Sequence, residues 1–426
     1  VKDFESIYPP KKNYYRLPWS KNDNPIGWLE VTDICDMHCK GCYRQRLTGH
    51  KTLDEIKEEI RFFKRWRNCD NISIAGGEPL IYPEIEKVVE FTAENGMKPV
   101  VLTNALTLSR EKLRELKKAG LAGLTIHIDC LQDRPKWKGK NEAELNELRQ
   151  YYAEMVSEEK DVYCSFNSTI YYSNFRHIPE VLRWAIENID IVNGIIFITY
   201  RGVPISDKID YVVGDKTIRV QDKLSYTTDK LSEIDIMSTD IYTIIKNELE
   251  EYEPSGYLGG TGSHDAYKWF IAALLASKNE VYGSVGKKTM ELTQTFHHLL
   301  WGTYVAYPNL SKTSKAVFLT AFFDKSIRKA FGKFLRSALH NPLHVFRRVY
   351  LQSVAIIQAP DVLPDGQADM CDSCPDMTVY EGHLVNSCRL DEYRKLGGFV
   401  NVAFQEGKNS PRAELEAGSH PTSDEK

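Results

Sequence analysis

"GWLEVTDICDMHCKGCYR", Gly27 to Arg44, runs from a β-forming segment straight into three cysteines. Trp28–Thr32 has the aromatic and β-branched content of a strand, and Cys35, Cys39 and Cys42 follow it in one loop as C-x3-C-x2-C. Thiols at that spacing are better placed to share a metal than to pair, and thiolates suit iron–sulfur clusters or zinc. A closed zinc site takes four ligands, usually in C-x2-C pairs, and His38 is the residue inside the loop that can complete one. A loop opening on the carboxyl end of a strand is where α/β proteins build ligand sites.

Outward from this loop, short apolar runs alternate with amphipathic stretches. Strands are expected at Trp28–Thr32, Asn71–Ala75, Lys98–Asn104, Leu124–Asp129, Val162–Thr169 and Gly194–Tyr200. Helices are expected at Leu53–Arg67, Pro83–Glu94, Arg110–Ala119, Glu142–Glu159 and Ile178–Asn188. The alternation predicts right-handed parallel βαβ units, and periodicity does not choose between a closed barrel and an open sheet. In "LTIHID", Ile126 and Ile128 alternate with Thr125, His127 and Asp129; in "VYCSFNST", Val162, Cys164 and Phe166 alternate with Tyr163, Ser165, Asn167 and Thr169. A packed barrel interior carries branched apolar side chains, so a polar inner face predicts a ligand within it.

The chain has 426 residues and a formal net charge of −4, which argues against a general nucleic-acid binder. Nine cysteines, an odd and clustered set, do not form a disulfide framework. There is no apolar run of bilayer-spanning length, Phe270–Ala276 being among the longest, and the N-terminal stretch lacks an apolar signal core. These features predict a soluble protein of a reducing cytoplasm. Residues 1–25 read as an extended arm, 206–360 as mostly helical, and 405–426 have the composition of disorder. Within 316–339, Leu319, Phe323, Ile327, Phe331, Phe334 and Ala338 recur at helical spacing. Lys312–Arg348 holds nine Lys/Arg and one acid, Asp324. Such a run either lies on a membrane surface or packs on the barrel with a solvated basic face.

One βα unit after the cysteines comes "ISIAGGEPL", Ile72 to Leu80. Gly76 and Gly77 permit close backbone approach, Glu78 offers a carboxylate to a cationic amine, and Pro79 stiffens the exit. With both motifs in place, residues 25–205 resemble the radical SAM superfamily. The resemblance implies a partial (β/α)6 barrel over 26–205 and a [4Fe–4S] cluster on Cys35, Cys39 and Cys42. S-adenosylmethionine would chelate the fourth iron and be cleaved reductively to a 5′-deoxyadenosyl radical that abstracts hydrogen from a C–H bond. It further implies that Gly76, Gly77, Glu78 and Pro79 meet the methionine amine, and that Asn104 of "LTNA" stands near the ligand. Asp129 and Ser165 or Asn167 would make ribose or carboxylate contacts. A flavodoxin or ferredoxin would supply electrons. One departure stands out: many members carry an aromatic residue just before the third cysteine, near the adenine. Here that residue is Gly41, and Tyr43 follows Cys42.

A second group, "CDSCPDMTVYEGHLVNSCRL", places Cys371, Cys374 and Cys388 as C-x2-C-x13-C. Thr378–Tyr380, a turn at Glu381–Gly382, and Leu384–Val385 read as a hairpin that returns Cys388 toward the pair. Residues 361–404 thus resemble the twitch domain, a reduced form of the SPASM domain. That resemblance implies a second, auxiliary [4Fe–4S] cluster, with Asp369, Asp372 or His383 as candidate fourth ligands, or the substrate itself in that place. A zinc hairpin is the alternative. Cys69, Cys130 and Cys164 carry no assigned chemistry. The aromatic and basic content of 206–360 favours a large amphipathic, lipid-like substrate, with peripheral membrane contact as an accompanying expectation. A peptide-modifying radical SAM enzyme is the alternative, and a non-catalytic Fe–S or zinc protein is the reading from another class.

Overall fold

The computed structural model describes residues 5–44, 49–200, 202–205, 209–224, 226–229, 234–263, 266–278, 280–307, 314–363 and 366–404. Six parallel strands pair in chain order: β1 (Ile26–Thr32), β2 (Asn71–Gly76), β3 (Lys98–Thr103), β4 (Gly123–His127), β5 (Tyr163–Ile170) and β6 (Gly194–Thr199). The connecting helices are α1 (Leu53–Trp66), α2 (Ile85–Glu94), α3 (Arg110–Lys118), α4 (Asn146–Ser157) and α5 (Ile178–Glu187). Helix α1 shows how local sequence sets these boundaries. Thr52 accepts from the Glu55 amide and the Glu55 side chain returns to the Thr52 amide, a capping box that contributes about 1 kcal/mol. Three residues of its apolar stripe, Ile56, Ile60 and Phe63, are fully buried. Gly27 of β1 lies directly beneath Phe63, where a Cβ would stand 2.9 Å from the ring.

The stretch 206–360 departs from the mostly helical expectation. It does contain α6 (Ser238–Glu248), α7 (Lys287–Trp301) and α8 (Lys325–His340), but also β7 (Gly256–Leu258), β8 (Trp269–Ser277), β9 (Glu280–Ser284) and β10 (Tyr350–Ile357). Strand β10 pairs parallel with β6, and β8 runs antiparallel to β10, so the sheet continues past its sixth strand to eleven among the described residues. The uninterrupted apolar run "FIAALLA" belongs to β8, an interior strand largely buried along its length. Such a strand has no polar alternation, so its sequence does not separate it from a buried helix.

The expected helix over 316–339 is also two elements. A 3-10 helix, Ser314–Phe322, ends before α8 because Asp324 caps α8, its carboxylate accepting from the Ser326 and Ile327 amides. The arm keeps an extended course and joins the sheet, Tyr15–Arg16 pairing parallel with β7.

The ladder does not close on itself: β1 pairs with β2 on one side and is otherwise bridged only at Thr32–His50 among the described residues. Beside β1 packs β11 (Met377–Tyr380), which forms the expected hairpin with β12 (His383–Asn386). Glu381 and Gly382 have φ of 47° and 75°, the two left-handed residues of a type I′ turn. The tail 405–426 lies outside the described residues.

Candidate active site

A cavity of about 610 Å³ opens at the carboxyl ends of β1–β6, and both cysteine triads line it. The first triad hangs in the loop after β1. That loop is stitched to the end of β2 by Gly77 N–H to Thr32 O (2.6 Å) and Glu78 N–H to Ile34 O (2.8 Å). A Cβ on Gly77 would stand 2.0 Å from Ile34 O, and Gly76 has φ of 129°. The glycine pair therefore first serves the meeting of two backbones, although both residues also form cavity wall. Cys39 packs near Cys35, Cys42 and Asp129; burial, and then these anionic neighbours, hold its thiol well above the usual range, while Arg134 opposes them.

Glu78 is buried, and burial pushes its carboxyl up to about 7. It accepts from Thr103 Oγ1 (2.5 Å), the Asn104 amide (2.7 Å) and the Leu80 amide (2.9 Å), tying the ends of β2 and β3 together. Pro79 begins the buried 3-10 turn that follows. The Asn104 Nδ2 donates to Asp36 (2.7 Å) and lies 3.9 Å from the Cys35 sulfur. Asp129 holds His127 Nε2 at 3.0 Å and accepts from the Leu131 amide, and the same His127 nitrogen lies 3.1 Å from Thr169 Oγ1. Ser165 differs from expectation: it is fully buried, its hydroxyl 2.9 Å from that of Thr125, and it is not part of the wall. Asn167 does face the cavity, and its buried Oδ1 has no hydrogen-bond partner among the described residues.

The space above Gly41 is filled from elsewhere. A Cβ there would stand 2.4 Å from Tyr171 Oη, so the ring that the loop lacks arrives from the end of β5. Tyr171 packs on Tyr200 with ring centroids 5.0 Å apart, lines the cavity, and leaves its buried hydroxyl without a partner among the described residues. Nothing in the local motif announces Tyr171; Gly41 was the only hint.

The second triad is built differently. Cys371 bridges Gly260, Cys374 is buried, and Cys388 sits in the turn directly after β12. Cys371 donates to Cys374; that bond, helped by Asn386 and Arg67, holds the Cys374 thiol below its usual range, and the same bond with burial holds Cys371 above it. Arg67 is fully buried, and its guanidinium donates to Ile26 O (2.7 Å), Lys21 O (2.8 Å), Cys374 O (2.6 Å) and Pro375 O (2.9 Å). The expected fourth ligands are committed elsewhere. Asp369 accepts from the Gly262 and Ser263 amides and pairs with Lys268 at 3.2 Å. Asp372 pairs with Arg16, and His383 is exposed at the hairpin turn. Asp376 instead faces the cavity, its carboxyl raised by burial and by Cys374. Among the described residues no group of three or more His, Cys, Asp or Glu stands close enough to hold a single metal ion.

The far wall is apolar and comes from beyond residue 205, with Trp269, Ile271, Met290, Val317, Leu351 and Ile357 as its main surfaces. These positions lie on four separate elements, so local sequence reading had no way to group them.

Residues 29–156 match the radical SAM superfamily model, so the chain contains a radical SAM domain that spans the first triad, the Gly-Gly-Glu-Pro segment, Asn104 and Asp129. That family implies a [4Fe–4S] cluster and S-adenosylmethionine. The match ends far short of Cys371. Over 195 residues the chain is 26% identical to the 7,8-dihydro-6-hydroxymethylpterin dimethyltransferase of Methanocaldococcus jannaschii, covering 42% of this chain and 37% of that one. Over 121 residues it is 31% identical to the GTP 3′,8-cyclase of Clostridium botulinum, covering 26% and 38%. The chain thus spans less than two fifths of the length of these two curated relatives. Among solved structures, SuiB of Streptococcus suis is similar at 17% identity and a TM-score of 0.39, over 55% of this chain and 49% of that one. Among the described residues no helix is long and apolar enough to cross a membrane.

Proposed function

We propose that this chain is a radical SAM enzyme acting on a large, lipid-like substrate held in the cavity between the two cysteine triads. The observation that carries the reading is that one cavity has a thiol-bearing polar end and an apolar far wall. The residues present fit the implied groups: three clustered thiols, where anionic neighbours outweigh Arg134 at Cys39, suit a cationic cluster, and two buried oxygens without a partner among the described residues, Asn167 Oδ1 and Tyr171 Oη, suit a polar ligand. Held by Cys35, Cys39 and Cys42, a [4Fe–4S] cluster would supply the electron for reductive cleavage of S-adenosylmethionine, and with it the radical that would take hydrogen from the substrate.

The chain's own groups have separate tasks. Cys35, Cys39 and Cys42 are the ligands, and Asn104 steadies their loop through Asp36. Glu78 keeps one acceptor position beyond the three it uses, which suits a ligand amine. Asn167 and Tyr171 take the nucleoside, with the Tyr171 ring in the role that an aromatic before the third cysteine has elsewhere. Asp129 orients His127 at the base of the polar end. Cys371, Cys374 and Cys388 hold an auxiliary cluster, and Asp376 is better placed than Asp369, Asp372 or His383 to approach it. The apolar wall excludes water from the radical and seats the acyl part of the substrate. A flavodoxin or ferredoxin delivers the electron.

Anaerobic reconstitution should load about seven to eight irons per chain, and dithionite should then release 5′-deoxyadenosine from S-adenosylmethionine. A cluster-loaded protein that releases none overturns the enzyme reading. With perdeuterated lipid extract present, deuterium should appear in the 5′-deoxyadenosine; deuterium from a labelled peptide pool instead would replace the lipid by a peptide.

A further inference from the structure

Three pieces pack into one cap outside the sheet: the 3-10 helix Ser314–Phe322, α8, and a second 3-10 turn, Pro342–Phe346. Phe318 packs on Phe331 and Phe334, Lys315 donates to Val345 O at 2.7 Å, and Arg328 donates to the carbonyls of Ala321 and Phe322. The inner side of α8, with Ile327, Ala330, Phe334 and Ala338, is buried and rests partly on β9. The outer side is the unusual one. Leu319, Phe322, Leu339 and Phe346 are 81%, 82%, 83% and 82% exposed, and Phe323 and Leu343 also project into solvent. Scattered apolar side chains on a surface need no explanation, but six this exposed on one small cap do.

The charge around it is one-sided. Lys315, Lys325, Arg328, Lys329, Arg336 and Arg348 are exposed on the same cap. The one acid between residues 314 and 348, Asp324, is buried as the cap of α8. Two part-buried acids reach the cap from neighbouring elements, Glu251 on Lys333 and Glu280 on Ser337 and Arg347; the exposed leucine and phenylalanine are otherwise ringed by lysine and arginine, a composition that suits the headgroup boundary of an anionic bilayer. A nucleic acid would match the charge and leave Leu319, Leu339 and Leu343 without a partner. The 3-10 helix also joins the two regions. Ala316, Val317 and Thr320 line the cavity, while Leu319 and Phe322 of the same helix point outward.

We infer that this cap docks the protein on an anionic lipid bilayer, with one 3-10 helix standing between the membrane and the cavity. The inference goes beyond the radical chemistry and does not require it, since the surface exists whatever the cavity holds. Sedimentation of the full chain with phosphatidylcholine vesicles, with and without phosphatidylglycerol, tests it in the absence of S-adenosylmethionine. The wild type should partition to the anionic vesicles at least about tenfold better than to the neutral ones. Phe322→Ser with Phe346→Ser, and separately Lys325→Glu with Arg328→Glu and Lys329→Glu, should each lower that partition at least about tenfold. Circular dichroism should match that of the wild type, so that a fold defect is not mistaken for lost binding. Wild-type protein left in the supernatant with anionic vesicles, or a serine variant binding like the wild type, overturns the inference. So does a wild-type dimer that the serine pair converts to a monomer, which would assign the face to a second copy of the chain. Because no radical chemistry enters the assay, loss of vesicle binding and loss of 5′-deoxyadenosine release fail separately.

Discussion

Cys35, Cys39 and Cys42 hang from a loop that returns to the sheet through a few backbone hydrogen bonds, whereas Cys371, Cys374 and Cys388 are braced by a hairpin and a buried guanidinium. The electrostatics differ in the same sense. At the first triad Asp129 and the other thiols raise Cys39. At the second, a hydrogen bond from Cys371, then Asn386 and Arg67, favour the thiolate of Cys374. At the first triad the anionic neighbours of Cys39 outweigh Arg134, so most of the balancing charge is left to what it binds, while the second carries more of it in the fold. A site that must exchange a cosubstrate gains from a mobile loop; a site that only holds or orients gains from a brace.

Breaking the comparison at its chemical end should have the largest effect. Cys39→Ala should lower 5′-deoxyadenosine release at least about ten-thousandfold, about 5 kcal/mol at the barrier, whereas Cys374→Ala should leave it within about tenfold; single-turnover assays on iron-quantified protein decide this. The brace comes next. Arg67→Met should destabilise the chain by about 3–5 kcal/mol, because four carbonyls, three of them in buried bonds, lose their donor. Arg67→Lys should recover less than half of that, since a point charge does not reproduce a planar fork; denaturant titration gives both values.

Glu78 gives a smaller, pH-dependent handle on the loop side. Its carboxyl stands at about 7 against an ordinary 4.5, so between those pH values the folded chain binds a proton that the unfolded chain has released. Its contribution is fully present below about pH 4.5 and is lost as pH rises through about 7. Glu78→Gln should flatten the fall in stability across that window by about 3 kcal/mol, seen as a shallower decline of Tm with pH. The smallest effect tests the borrowed ring. Gly41→Phe should collide with Tyr171 and destabilise the loop, and adding Tyr171→Ala should restore about 1–2 kcal/mol in a double-mutant cycle. Additive costs would mean that the two positions do not share that space.

Much of the N-terminal half was readable because its signals are local. Six strands and five helices alternate with apolar periodicity inside windows of a few turns, two of the helices capped by Thr52 and Ser109, and the Cys-x3-Cys-x2-Cys and Gly-Gly-Glu-Pro segments each lie within ten residues. The hairpin was readable for the same reason, since Glu381–Gly382 sets its own turn. The second half was misread where burial erased the pattern: β8 is apolar along most of its length because it lies inside the sheet, and the stripe over 316–339 hid the break that Asp324 imposes.

What the sequence determined by itself is chemistry that depends on spacing along the chain: three thiols in one loop, two glycines at one strand end, a turn that closes a hairpin. What only the tertiary structure decided is which distant groups share a space. Tyr171 fills the room over Gly41, Arg67 joins α1 to the Cys374 loop across about three hundred residues of chain, and both triads face one cavity with an apolar wall from β8, β10 and α7. The physical reason is that backbone geometry and propensity act over a few residues, whereas burial and orphaned hydrogen-bonding groups are properties of the packed interior.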